Sequence, residues 1–144
     1  MKNKALLIFL GVLLSASVFA VEPGDERREE ELTNWTFTYI KARGSQSVEL
    51  KEYLESNWFV MDAKAVEQGL FKSYRLIENL GAGDAGERAW DYIVAVEYFG
   101  DQRYSDIVEE FEIIRSAHNT VLVDGQGFRE LGSIVRSERV RFLD

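Results

Sequence analysis

WTFTYIK (residues 35–41) and WDYIVAVEY (residues 90–98) are the two stretches that decide how this chain folds. Both are rich in β-branched and aromatic residues, the composition of a strand. Each is followed by an amphipathic segment with helical spacing and then by a second strand-like run. In the first unit the helix is predicted over residues 48–68 and the strand is FKSYRLI (71–77). In the second the helix is predicted over residues 104–118 and the strand is SERVRFL (137–143). The chain therefore reads as one unit twice, in the order βαββαβ.

The first strand alternates, with Trp35, Phe37 and Tyr39 on one face and Thr36, Thr38 and Ile40 on the other. The third strand, residues 90–99, is apolar or aromatic at eight of ten positions, as in a strand covered on both faces. Helices on one side of a four-stranded sheet cover only one face, so a second copy is expected over the other, giving a homodimer. Ser47 is expected to cap the first helix, with Glu49 and Glu52 near its positive end. Gly69 stands where a left-handed residue would stop it. A helix of about 21 residues would be roughly 31 Å long, more than a strand of this sheet needs, which predicts a kink near residues 57–59. DGQG (124–127) signals a turn, and residues 128–135 fit either a helical turn or an irregular strand.

Residues 1–20 have the form of a signal peptide. Lys2 and Lys4 precede an apolar run over 5–14, and Val18 and Ala20 are small residues at the positions a signal peptidase reads. The run is too short for a bilayer span of roughly 20 residues, so no stable membrane insertion is expected after cleavage. The mature chain is then expected to begin near Val21, in the periplasm or outside the cell. Residues 21–33 form an acidic flexible tail, with six acids and two arginines between 22 and 31, and residues 34–144 form the domain. The formal charge of −8 argues against nucleic acid and anionic membrane surfaces as partners. There is no cysteine, which excludes a lipoprotein site and a disulfide staple.

GAGDAG (81–86) matches the dinucleotide fingerprint in letters alone. That fingerprint works by leading into a helix whose N-terminus holds a pyrophosphate, whereas these glycines lead into a strand. A hairpin loop is the expected reading. His118 is the only histidine, which excludes a multi-histidine metal site; no nucleophile elbow, phosphate loop or metal-ligand spacing appears, and no metal is expected. At 100° per residue His118 shares a helix face with Ile107, Phe111 and Ile114. It is either a structural histidine closing the helix or an imidazole lining a pocket. Asn57 poses the same choice, being an amide on a stripe with Leu50, Leu54 and Met61. It either caps a break or converges with His118 on one small-molecule cavity walled by Trp58 and Tyr39. EEFE (109–112) reads as a solvated helix face.

The βαββαβ order, the doubly covered third strand and Ser116-Ala117-His118 resemble the dimeric α/β-barrel superfamily. That group includes antibiotic-biosynthesis monooxygenase-like proteins and haem-degrading monooxygenases. Residues 57–59 with 67–69 resemble the signature of an exported subfamily. The resemblance implies an α+β, ferredoxin-like domain: an antiparallel four-stranded sheet with two helices on one face, paired into a dimeric barrel. It also implies a haem axial ligand at His118. The asparagine and tryptophan that accompany that ligand in haem-degrading members would fall near Phe37 and Val108, and are missing. The expected function is small-molecule binding by an exported dimer. A cofactor-free or haem-dependent monooxygenase and a non-catalytic interaction dimer are the alternatives, which leaves open whether the chain is an enzyme.

Overall fold

The structure is a computed structural model that describes residues 33–81, 89–100 and 102–143. Residues 1–32, expected to hold a signal peptide and nearly all of an acidic tail, and residues 82–88, in the expected hairpin loop, lie outside the described residues. The central strand is β1, Thr33–Ala42. It pairs antiparallel with β3, Tyr92–Phe99, on one side and with β4, Gly132–Val140, on the other. Strand β2, Ser73–Glu78, pairs antiparallel with β3, so the order across the sheet is β2-β3-β1-β4. The result is an α+β architecture on a four-stranded antiparallel sheet, compatible with a ferredoxin-like arrangement.

The expected alternation decides which face the helices cover. Register sets Thr36, Thr38 and Ile40 of β1 beside Val96, Val94 and Tyr92 of β3, and this face joins the hydrophobic core with Leu50, Leu54, Ile107 and Leu131. Trp35, Phe37 and Tyr39 lie on the opposite face. There Trp35 and Phe37 cluster with Phe142, Tyr39 stacks edge-on against Trp90, and Arg75 and Arg136 sit over Trp35 and Tyr39. Ile93 and Ala95, the β3 residues of that face, are already buried within one copy.

The first helical segment comprises α1, Ser47–Tyr53, a π-helical turn over Leu54–Trp58, and α2, Phe59–Glu67. The kink expected near residues 57–59 is thus realised as a π turn, in which the Phe59 amide bonds the Leu54 carbonyl. Ser47 does not cap α1: it is the first helical residue, and its hydroxyl pairs with that of Tyr92 at 3.0 Å. Gly69 does stop α2. At φ +71° its amide bonds Val66 O (3.0 Å) while the Leu70 amide bonds Ala65 O (2.8 Å), the two bonds of a Schellman turn.

Helix α3 spans Tyr104–Ala117, and His118 closes it in extended conformation. Residues 128–135 realise both expected alternatives in succession, since α4 is one turn, Phe128–Leu131, and β4 starts at Gly132. The fourth strand therefore begins five residues before the expected 137 and ends at Val140. Gly132 allows this early start. A Cβ there would lie 2.9 Å from Leu50 Cδ1 and 3.0 Å from Lys41 O, too close for any side chain. At the far end of β3, Asp91 Oδ2 accepts the Ala42 amide at 2.8 Å and the Asp91 amide bonds Ile40 O, which pins the entry to β3 against β1. No helix among the described residues is long and apolar enough to cross a membrane.

Candidate functional site

The π turn organises two polar positions on the face of the helix that packs inward. The first is Asn57, 1 % exposed. Its Nδ2 donates to Tyr53 O at 3.0 Å and to Val121 O at 2.9 Å. Its Oδ1 accepts the Val121 amide at 2.8 Å and His118 Nε2–H at 3.0 Å. Two donors and two lone pairs exhaust what a carboxamide can do. Both carbonyl partners require the nitrogen, which fixes the amide's orientation and places the imidazole proton on Nε2. Asn57 thereby ties the helix to the segment following α3 and also satisfies a carbonyl in the π region.

Of the four residues expected to line a pocket, three come together. Asn57, Trp58 and His118 border a cleft of about 190 Å³ with Tyr53, Met61 and Arg115. Tyr39 is on the opposite face of the sheet, against Trp90 and Arg136, because its place in the β1 alternation points it away from every helix. The cleft does not fit the haem that the family resemblance implies. His118 Nε2 is committed to Asn57, and the space is below the roughly 300–1,000 Å³ of ordinary small-molecule pockets.

A larger cavity of about 420 Å³ lies between the helices and the sheet, one turn further along. Trp58, Phe71, Tyr98, Tyr104 and Phe111 supply aromatic walls, and Val94, Val96 and Ile107 supply aliphatic ones. Glu112 and Arg115, ion-paired and exposed, stand at its edge. Two buried polar side chains line it from opposite layers, Thr36 from β1 and Asp62 from α2, at 7 % and 4 % exposed. Asp62 Oδ2 has no hydrogen-bond partner among the described residues, and the Thr36 hydroxyl neighbours that of Tyr98. Burial pushes the Asp62 carboxyl up to about 7 from an ordinary 3.8, because a charge in an apolar surrounding is poorly solvated. Burial likewise pushes the Tyr98 phenol up to about 12, an effect the neighbouring Thr36 hydroxyl opposes and the Asp62 charge reinforces.

In comparisons with protein-family models, curated proteins and solved structures, nothing matches this chain.

Asp62 is the residue that sequence reasoning missed. The reasoning used for Asn57 and His118, a polar residue on an apolar helix stripe, was the signal that could have found it. In an unbroken α-helix Asp62 falls about 120° from Leu50, at the edge of the stripe. The π turn holds one extra residue and turns everything after it back by roughly 100°. That brings Asp62 to about 20° from Leu50, on the buried face that Met61 and Ala65 also join.

Proposed function

We propose that this protein binds a small, largely apolar molecule in the cavity between its helices and its sheet. In this reading it is an exported protein of ferredoxin-like βαββαβ architecture that pairs with a second copy through the open face of the sheet. The observation that carries the binding reading is Asp62, a buried carboxyl that lines one mostly apolar space and has an oxygen without a hydrogen-bond partner among the described residues. Leaving a buried polar group unsatisfied costs about 1–3 kcal/mol. Such costs are retained where function needs the group, and an apolar space with a few convergent polar groups is what ligand sites look like. The π turn supports the same reading, since π turns inside α-helices occur often at functional sites.

Pairing is supported by the open face. Ile77 is 39 % exposed and Phe142 63 % exposed, and both extend the aromatic surface of Trp35 and Phe37. Strand β3, the element on which the dimer was first inferred, contributes little exposed area, because Ile93 and Ala95 are already covered within one copy.

Native mass spectrometry of the purified protein tests the binding reading. A small-molecule adduct is expected, and Val96→Phe, which places a ring in the cavity, should remove it. Persistence of the adduct in Val96→Phe would contradict the assignment to this cavity. Light scattering on a size-exclusion column tests pairing: a dimer is expected at micromolar concentration, with Phe142→Glu shifting it to monomer, and a wild-type monomer would refute it.

A further inference from the structure

We propose that the molecule bound in this cavity carries an ammonium group on an apolar body, with its N–H donors directed to the carboxyl group of Asp62. The inference rests on the cavity being a ligand site and adds the chemistry of the ligand. An ionised carboxylate only accepts hydrogen bonds, while an ammonium offers three donors and no acceptor. A cationic head therefore suits a carboxyl with an oxygen that has no partner among the described residues.

Charge leads to the same class. An ionised Asp62 alone in this surrounding is costly, and among the described residues no ion pair of Asp62 is found, so without a ligand the carboxyl holds its proton toward neutral pH, and a cationic ligand is what favours its charged form. Trp58, Phe71 and Tyr98 line the space, and aromatic rings attract cations through their quadrupoles. The chain's formal charge of −8 draws cations toward it at long range. A neutral hydroxyl gives the charged form no such compensation.

The other charged and titratable groups around Asp62 have partners of their own. From α3, Glu112 and Arg115 pair with each other at the cavity edge. From β4, Arg139 sits 4.1 Å from the ring centroid of Tyr104, the remaining α3 group. From β3, Tyr98 stays protonated, its hydroxyl pushed up to about 12. Asp62, pushed up to about 7, is the group whose charge changes between pH 6 and pH 8. An alkylammonium keeps its proton across that range, as lysine does at about 10.4. Affinity for the amine should consequently fall about tenfold from pH 8 to pH 6, with close to one proton released per amine bound at pH 6.

Isothermal titration of the purified protein with 2-phenylethylamine and with its neutral counterpart 2-phenylethanol tests this, using wild type and Asp62→Asn at both pH values. At pH 8 the amine should bind wild type at least tenfold more tightly than the alcohol. Asp62→Asn should abolish that preference and the pH dependence, while alcohol binding persists and shows that the variant's cavity is intact. Alcohol binding as tight as or tighter than the amine, unaffected by Asp62→Asn, would overturn the ammonium assignment and leave the cavity reading standing. Binding of neither probe to wild type, the behaviour of a space that holds only water, would overturn both.

Discussion

Asn57 and Asp62 are five residues apart on one helical segment, both on its buried side, yet their surroundings are opposite. Asn57 uses every donor and lone pair it has, three of them on backbone groups of Tyr53 and Val121. Asp62 has an oxygen with no partner among the described residues, on a side chain that lines an aromatic-walled space. A buried polar group that is fully paired holds the chain together. A buried polar group that is unpaired lowers stability, and what it gains must come from outside the fold. The same kind of residue in the same kind of position thus has two roles, told apart by counting its hydrogen bonds.

The largest expected effect is at the saturated site. Asn57→Leu strands the buried Tyr53 carbonyl and the carbonyl and amide of half-exposed Val121; a buried unpaired group costs about 1–3 kcal/mol, and water can serve the Val121 groups in part. A loss of about 2–3 kcal/mol in urea unfolding is expected, and a loss under about 1 kcal/mol would erase the contrast between the two sites. The smallest effect should come from His118→Ala. Asn57 Oδ1 keeps the Val121 amide, so only one half-buried hydrogen bond is lost, at about 0.5–1.5 kcal/mol. A cost approaching that of Asn57→Leu would make His118, rather than Asn57, the centre of the joint.

Much of the fold is legible in the sequence because strand alternation is a local signal. Thr36, Thr38 and Ile40 against Trp35, Phe37 and Tyr39 assigns the two faces of the sheet from six residues of chain. The terminating role of Gly69 is equally local, since a left-handed residue after an apolar stripe has few other uses. Ser47 shows where such reasoning falls short: a serine before a helix suits a cap, but its hydroxyl is taken by Tyr92, 45 residues away. Residues 128–135 were ambiguous because a single helical turn leading directly into a strand shows neither period for long enough to be recognised. The site was only partly legible for a related reason. Asn57 and His118 stand out on a regular helical projection and do meet, and Trp58 joins them. Tyr39 was assigned to the same pocket on its aromatic character, against its own strand's alternation. Asp62 is hidden by the π turn, because a periodicity that assumes 3.6 residues per turn carries the wrong phase beyond the extra residue.

Stability against pH, compared between wild type and Asp62→Asn, reaches the central contrast most directly. The folded carboxyl is pushed up to about 7 while the unfolded one stays near 3.8. Between those values the folded state holds a proton that the unfolded state has released, so stability is full below about pH 4, declines as pH rises through the window, and levels off above about pH 7. The asparagine variant lacks this titration, and comparison with it cancels the other groups. Wild type is expected to lose about 2–4 kcal/mol relative to Asp62→Asn between pH 4 and pH 8, from a shift of roughly three pH units at about 1.4 kcal/mol each with allowance for relaxation of the site. A difference that does not change with pH, or one that moves in favour of wild type as pH rises, would show that Asp62 is as well paired as Asn57 and would contradict its assignment to a ligand.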